Sequence, residues 1–180
     1  MRVPMLARLF RRKPFVREGH ALYTAAVEAA RQPVYYLELG VADTLEGRFD
    51  LFGLHVALLI RRLRHDGEAA GRDLAQAVFD AMFSDMDLNL REMGVGDMSI
   101  GKRVKRMWEA FHGRAQAYEA ALDGGDSVAM ADALARNIWA GAPPEGAAIR
   151  LAARAFALDA ALAGQPMAAL RQGQVVFPPL

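Results

Sequence analysis

The spacing of apolar residues constrains this chain most strongly, because it follows the helical repeat almost everywhere. Apolar side chains recur three or four residues apart, and glycine or proline interrupts them at intervals suited to helices of two to seven turns. With 180 residues, 53% of them hydrophobic, the chain is long enough for one domain around one core. We therefore predict an all-α fold, a single compact helical domain of about six to seven helices.

The interruptions also predict where the elements begin and end. Residues 34–40 should form a connector or a single helical turn. Helices are expected at about 17–32, 48–64, 72–93, 99–122, 126–139 and 143–163, with a last turn at 166–171. The predicted organisation is a basic flexible arm at 1–16, the helical domain at 17–172 and an extended tail at 173–180, which either packs or hangs free.

Two of the predicted helices are apolar on both sides. In the second helix, Phe49, Val56 and Leu63 belong to the main stripe, whereas Leu51 and Leu58 lie on the opposite side. This pattern predicts burial between neighbouring helices, or one face kept for a partner. The sixth helix has the same two-sided character, and we expect it to be central in the fold.

The third predicted helix carries a stripe rich in methionine and phenylalanine, which includes Met82 and Met86. Thioether side chains repack around different shapes, so such a stripe suits varied apolar partners, although it is more often simply core. The fourth predicted helix repeats the apolar pattern with Trp108 and Phe111. The stripe is therefore interpreted either as core or as part of a binding face.

Aspartates recur every seven residues on the polar side of the third predicted helix, at Asp73, Asp80 and Asp87. Paired catalytic carboxylates face each other across a substrate, whereas a row along one helix is typical of a solvated face or of a docking strip for a basic partner. Asp87 precedes Arg91 by four residues, a spacing that favours an ion pair within the helix.

Positive charge is concentrated at the start of the chain. Six of the 22 lysines and arginines lie in residues 1–17, before the first acid at Glu18, which leaves 16 basic and 21 acidic side chains and a net charge of −5 for the rest. Cationic segments are attracted to anionic lipid and to nucleic acid, whereas an acidic body repels both. We expect any contact with an anionic membrane or a ribosome to run through the arm, and we expect no binding of DNA.

A second basic cluster opens the fourth predicted helix. Lys102, Arg103, Lys105 and Arg106 occupy its first turns, where positive charge opposes the helix dipole at a small cost. Surface residues that oppose the helix dipole suggest that the cluster has a functional role. An acidic protein partner, anionic lipid head groups or RNA would each fit this cluster.

Patterns that would indicate chemistry are weak. Residues 96–102 match the first seven positions of a phosphate-binding loop, but Arg103 stands where a serine or threonine would hold magnesium, and a helix replaces the strand that should precede the loop. The histidines lack the spacings that place two metal ligands on one helix, and His55 is interpreted as a hydrogen-bonded structural histidine. The absence of cysteine excludes thiolate-ligated metals. These patterns predict no enzyme, with a small enzyme using Asp85, Asp87 or His55 as an alternative.

Three blocks of residues, in order along the chain, resemble one known family. The blocks are Phe49-x5-His55 followed by Arg62-Leu63; Phe83-x-Asp85-x-Asp87-x2-Leu90-Arg91-Glu92-x-Gly94-Val95-x-Asp97; and Lys102-x2-Lys105-x-Met107-x3-Phe111-x-Gly113-x4-Tyr118. They extend over about residues 33–140. In this arrangement the chain is similar to the ubiquinol-cytochrome c chaperone family.

This resemblance implies a helical, non-enzymatic protein without a cofactor. It implies binding of newly made cytochrome b and assembly of ubiquinol-cytochrome c reductase, in mitochondria together with a small partner protein. Mitochondrial members have a longer amino-terminal extension, whereas this chain enters its first helix by about residue 17. That difference indicates a bacterial member, cytoplasmic and peripheral to the inner membrane, and leaves the small partner open. An adaptor that contacts a membrane or RNA through the arm is the other alternative.

The residue pattern and the resemblance lead to one expectation about the site. We predict that the second to fourth helices, with the turn at 94–97, form a surface that binds the client protein through apolar and charged side chains. The candidate residues are Phe49, His55, Met82, Met86, Asp87, Arg91, Gly94, Asp97, Lys102, Lys105, Trp108 and Phe111.

Overall fold

A computed structural model describes residues 13–179, except for the side chains of Asp97 and Met98. Over this range the chain forms eight helices and no strand, so the predicted all-α fold is confirmed. Most of the predicted arm lies outside the described residues, as does Leu180. The helices are α1 (Val16–Ala30), α2 (Pro33–Leu37), α3 (Leu45–Arg64), α4 (Ala69–Glu92), α5 (Asp97–Gly124), α6 (Ser127–Ile138), α7 (Ala147–Ala163) and α8 (Met167–Leu170).

Side-chain caps fix two of the helix starts. The hydroxyl of Thr44 accepts a hydrogen bond from the Gly47 amide at 3.1 Å, which places the start of α3 three residues before the predicted one. The carboxylate of Asp126 accepts a hydrogen bond from the Ala129 amide at 2.9 Å and begins α6, one residue after the predicted start at 126. Both caps satisfy amides that a helix start leaves without partners.

Helix α3 lies at the centre of the domain. It packs against α1, α4, α5, α6 and α7, and every residue from Gly53 to Ile60 is buried. The two apolar sides of the second predicted helix are therefore both covered by neighbours. The expectation that the helix now labelled α7 is central is wrong: α7 packs on α6 and α3, and Ile149, on its other apolar side, is 70% exposed.

Helices α1 and α4 approach each other closely enough that one position admits only glycine. A Cβ atom built on Gly19 would lie 2.5 Å from the Cβ of Ala77 and 2.7 Å from its carbonyl carbon. Since real Cβ contacts are longer than this, Gly19 allows the two helices to cross. This contact anchors the first half of α4 in the domain.

Arginines at the end of α3 bind to helices far away in the sequence. Arg61, which is largely buried, lies 2.7 Å from a carboxylate oxygen of Asp123 and 3.2 Å from one of Asp159. Arg62 donates hydrogen bonds to the carbonyls of Leu162 and Gln165 at 2.9 and 2.7 Å. These bonds connect α3 to α5 and satisfy carbonyl groups at the end of α7.

The predicted extended tail packs on the domain. The side-chain amide of Gln165 donates to the Val176 carbonyl at 2.7 Å, and its oxygen accepts from the Val176 amide at 2.9 Å. The guanidinium of the buried Arg154 donates to the carbonyls of Pro178 and Pro179. The sequence left open whether the tail packs or hangs free, and its described part packs on the domain.

Candidate functional site

The structure divides the predicted binding residues between the core and one projecting surface. The side chain of Asp97 lies outside the described residues. The buried members are Phe49, His55, Met82, Met86 and Phe111. The members at the surface are Asp87, Arg91, Gly94, Lys102, Lys105 and Trp108. The surface group lies on the end of α4 and the start of α5, which the chain turn brings together.

The methionine stripe of α4 faces the interior. Met82 and Met86 are 0% and 4% exposed and belong to the main hydrophobic core. They are covered because α4 packs against both α1 and α3. The stripe is therefore part of the core, which is one of its two interpretations. The methionines do not line an accessible face in this conformation. Their part in client binding stays a prediction.

His55 lies in a closed polar network inside the domain. Its Nδ1 donates to the Leu51 carbonyl at 3.0 Å, so in the neutral ring Nε2 accepts from the Tyr35 hydroxyl at 3.2 Å. Arg154 Nε approaches the same hydroxyl at 3.5 Å, and the ring of Phe177 lies 5.7 Å away. Burial lowers the pKa of His55 to about 4, which keeps it neutral at physiological pH. His55 is thus a hydrogen-bonded structural histidine, as predicted.

The accessible part of the predicted surface is the α4–α5 tip, which we define as residues 87–108. Gly94, with φ of 76°, ends α4: its amide donates to the Arg91 carbonyl at 2.9 Å, and the Val95 amide donates to the Leu90 carbonyl at 3.1 Å. This pair of bonds is a Schellman motif, which reverses the chain and requires glycine at its left-handed position. Gly94 therefore shapes the tip through its backbone.

Exposed apolar and basic side chains occur together on the tip. Leu88 and Met93, near the end of α4, are both more than half exposed. Across the turn, Lys102, Arg103 and Arg106 are exposed and make no ion pair with any described residue. An exposed surface of this composition suits a partner that presents apolar groups next to negative charge.

Trp108 is the largest apolar side chain that the tip exposes. It is 45% exposed, and its ring lies 4.1 Å from that of His112, at an interplanar angle of 32°. His112 in turn contacts Phe79 of α4 edge to face at 5.4 Å, and Phe79 lies 4.6 Å from Phe83. This row of rings joins α4 to α5 and holds one face of Trp108, so the indole is presented to solvent in a fixed position.

The acidic row of α4 makes several contacts within the chain. Asp80 pairs with Lys13, the first described residue, at 2.8 Å. Asp87 pairs with Arg91 at 2.7 Å, as their spacing predicts. Asp73 is exposed. A docking role for this row stays a prediction, and its contact with Lys13 places the base of the arm beside α4.

A concave surface lies along a side of α5 that does not include Lys102, Lys105 or Trp108, and we call it the arginine groove. It has a volume of about 850 Å³ and lies between the start of α3, the middle of α5 and the end of α6. Four arginines line it, at Arg103, Arg106, Arg114 and Arg136. Arg103 and Arg106 belong to the basic cluster predicted from the sequence, whereas Arg136 was not predicted, because α6 approaches α5 only in the folded chain.

The residues proposed for the enzymatic alternative do not converge. His55 is enclosed in the core, Asp85 accepts a hydrogen bond from the Tyr23 hydroxyl at 2.7 Å, and Asp87 pairs with Arg91. The segment that resembles a phosphate-binding loop lies mostly within the first turns of α5. Among the described residues, no group of three or more histidine, aspartate or glutamate side chains is placed to hold a metal ion.

Comparison with known proteins identifies the family. The sequence model of the family described as ubiquinol-cytochrome C chaperone matches residues 37–177. The chain belongs to this family. The predicted resemblance is therefore confirmed, and the match extends through α7 to the tail that covers His55.

A solved structure shares the whole fold with this member of the ubiquinol-cytochrome c chaperone family. The crystal structure of the Cbp3 homolog from Brucella abortus has 37% sequence identity and a TM-score of 0.81 to it, with 97% of each chain covered. This relative comes from a bacterium, in line with the prediction of a bacterial member.

Two relatives outside bacteria match a shorter region. Ubiquinol-cytochrome-c reductase complex assembly factor 1 of Xenopus laevis is 25% identical over 117 residues, which is 65% of this chain and 58% of that protein. The protein of the same description from Drosophila melanogaster is 24% identical over 125 residues, 67% of this chain and 48% of that one. The chain thus spans about half the length of these curated relatives. None of the helices that the structure describes is long and apolar enough to cross a membrane.

Proposed function

We propose that this protein is an assembly chaperone that binds newly made cytochrome b and promotes assembly of ubiquinol-cytochrome c reductase. Its family supports a role in assembling this complex, and two relatives are described as assembly factors for it. The observation that carries the proposal is the α4–α5 tip, where apolar and basic side chains are exposed together. The protein binds its client without a covalent step.

The tip suits a client that is a membrane protein still outside its final surroundings. Met93 and Trp108 offer apolar contact area, and each apolar group that they cover is removed from water. Lys105, three residues before Trp108 on α5, and Lys102, three residues before Lys105, can pair with acidic groups on the client. An exposed surface with a polar rim binds reversibly, which an assembly factor needs in order to release its client.

We place this function in the cytoplasm of a bacterium, peripheral to the inner membrane. The bacterial relative and the expected site of cytochrome b synthesis support this location. Contact of the basic arm with anionic lipid or with a ribosome would keep the protein near the membrane. A small partner protein, as in the mitochondrial system, is not required by this proposal.

The experiment is co-purification of cytochrome b with the tagged protein from cells that synthesise the reductase. The variant Lys102→Glu with Lys105→Glu reverses two charges on the tip, and we expect it to retain less than about one fifth of the wild-type cytochrome b, a loss of about 1 kcal/mol. The matched control is Arg17→Glu with Arg72→Glu, exposed positions at the starts of α1 and α4. Circular dichroism should show the same helicity in all three proteins.

Equal amounts of cytochrome b on the wild-type protein and the tip variant would remove the tip from consideration. Deletion of residues 1–12 separates the adaptor alternative from the chaperone. If the deletion alone abolishes reductase assembly while capture by the tip continues, the arm carries the function. If assembly continues without the arm, the tip is sufficient.

A further inference from the structure

The arginine groove has an apolar floor that water still reaches. Leu45, at the start of α3, is 44% exposed, and Met107 and Trp139 are half-buried. The indole nitrogen of Trp139 donates to the carbonyls of Leu39 and Gly40, each at 3.2 Å, which fixes the ring against the loop between α2 and α3. The floor is thus a formed apolar surface, and a partner that covered it would gain the free energy of burial.

The walls of the groove carry an excess of positive charge. Arg114 pairs with Asp50 and lies 5.9 Å from the ring of Phe49, so its charge is already balanced. The side chains of Arg103, Arg106 and Arg136 make no hydrogen bond or ion pair with any residue that the structure describes. On the α3 wall, Glu46 is the remaining acid, and it lies in the first turn of α3, where the helix dipole favours it. Three guanidinium groups of the groove therefore have no acidic partner among the described residues.

The spacing of these arginines distinguishes between kinds of anion. Arg103 and Arg106 lie near the start of α5, whereas Arg136 lies near the level of Tyr118, because the neighbouring Asn137 donates to the Tyr118 hydroxyl at 3.2 Å. Arg106 and Tyr118 are twelve residues apart, which corresponds to about 18 Å along the helix axis. Guanidinium groups that bind one phosphate converge on it within a few ångströms. Positive charges spread over this length, on both walls of the groove, instead match carboxylates that recur along a second helix. Such a helix would place its apolar side on Met107 and Trp139.

We propose that the arginine groove is a docking site for an acidic amphipathic helix of a partner protein. Its apolar side covers the floor, and carboxylates on its flanks pair with Arg103 and Arg106 on one wall and Arg136 on the other. This site lies on a different face of α5 from Lys102 and Lys105. It does not depend on the client being cytochrome b, so the two proposals can fail separately.

The test uses a synthetic helix of known composition. The probe is a fluorescein-labelled peptide of about 18 residues, or five turns, built from leucine, alanine and glutamate with the leucines on one side. One control peptide has the same residues in an order that removes the apolar side, and another carries lysine in place of glutamate. Fluorescence anisotropy measures binding to the full-length protein, and we expect only the first peptide to bind.

Two variants with equal changes in charge locate the site on α5. Arg103→Glu with Arg106→Glu reverses charge inside the groove, and we expect the dissociation constant of the acidic peptide to rise at least about tenfold. Lys102→Glu with Lys105→Glu makes the same change in net charge on the same helix outside the groove. For this control we expect a change of less than about threefold, from long-range attraction alone.

Four results would overturn the proposal. The first is equal binding of the ordered and reordered acidic peptides, because charge alone would then explain it. The second is an equal loss in both double variants. The third is binding of vesicles that contain phosphatidylglycerol, dependent on Arg103 and Arg106 and not displaced by the peptide, which would make the groove a lipid site. Absence of peptide binding at low salt would also contradict the proposal.

Discussion

Acidification should destabilise the folded protein through His55, whose surroundings favour the neutral ring. Protonation would place a hydrogen on Nε2, opposite the Tyr35 hydroxyl that now donates to it at 3.2 Å. It would also create a second buried cation close to Arg154, which reaches that hydroxyl from the other side. Burial, the largest cause, therefore lowers the pKa of His55 from 6.5 to about 4.

The size of the effect follows from the two pKa values. Above pH 6.5 the ring of His55 is neutral in both the folded and the unfolded chain, so the full stability is present. Between pH 6.5 and 4 the unfolded chain binds a proton that the folded chain does not, and the free energy of unfolding falls. Below pH 4 the loss is complete, at about 3 kcal/mol. Between pH 7 and pH 5 it should amount to about 2 kcal/mol.

Urea unfolding, followed by circular dichroism at pH 7 and at pH 5, measures this loss. Many carboxyl groups titrate toward the lower end of this range, so the matched protein is His55→Gln, which retains a neutral polar side chain and cannot be protonated. We expect the variant to lose about 2 kcal/mol less than the wild type over the same interval. Nuclear magnetic resonance of the folded wild type gives a direct check, with a midpoint for His55 near 4. An equal loss in both proteins, or a midpoint near 6.5, would refute the reasoning.

Two further predictions concern the supports of the fold and of the tip. Arg61→Met removes the cation that binds carboxylates of α5 and α7 and should lower the free energy of unfolding by about 2 kcal/mol. Urea unfolding measures this loss, and a change within about 0.5 kcal/mol would contradict the role of this cluster. Gly94→Ala forces a side chain into a left-handed conformation with φ of 76° and should cost about 1 kcal/mol, whereas Gly96→Ala, at φ of −62°, should cost less. Equal costs in thermal unfolding would show that the turn does not need glycine at residue 94.

The fold could be predicted from the sequence where the deciding contacts are local. The apolar repeat, the cap at Asp126 and the glycine at 94 each act within a few residues, and the corresponding elements agree with prediction. Which helix lies at the centre depends on which apolar sides are covered by neighbouring helices. The apolar repeat shows that a helix has two apolar sides, but not whether both are covered. Both sides of α3 are covered, whereas Ile149 of α7 faces solvent.

The same limit explains what was missed at the candidate sites. The basic residues of the tip lie within five positions on one helix, so their clustering is visible in the sequence. The arginine groove combines α5 with Arg136 and Trp139, which reach it only when α6 packs against α5. Arg61 likewise pairs with Asp159, which is 98 residues away along the chain, so local spacing does not predict this contact. Methionine spacing on α4 did not tell a core stripe from a binding face.

Photo-crosslinking in cells tests most directly whether the α4–α5 tip receives cytochrome b. A photoreactive phenylalanine analogue is placed at Trp108 in one protein and at Val128, an exposed position at the start of α6, in another. We predict that newly made cytochrome b is crosslinked at position 108 and not at 128. Crosslinking of cytochrome b at 128 with none at 108 would contradict the account.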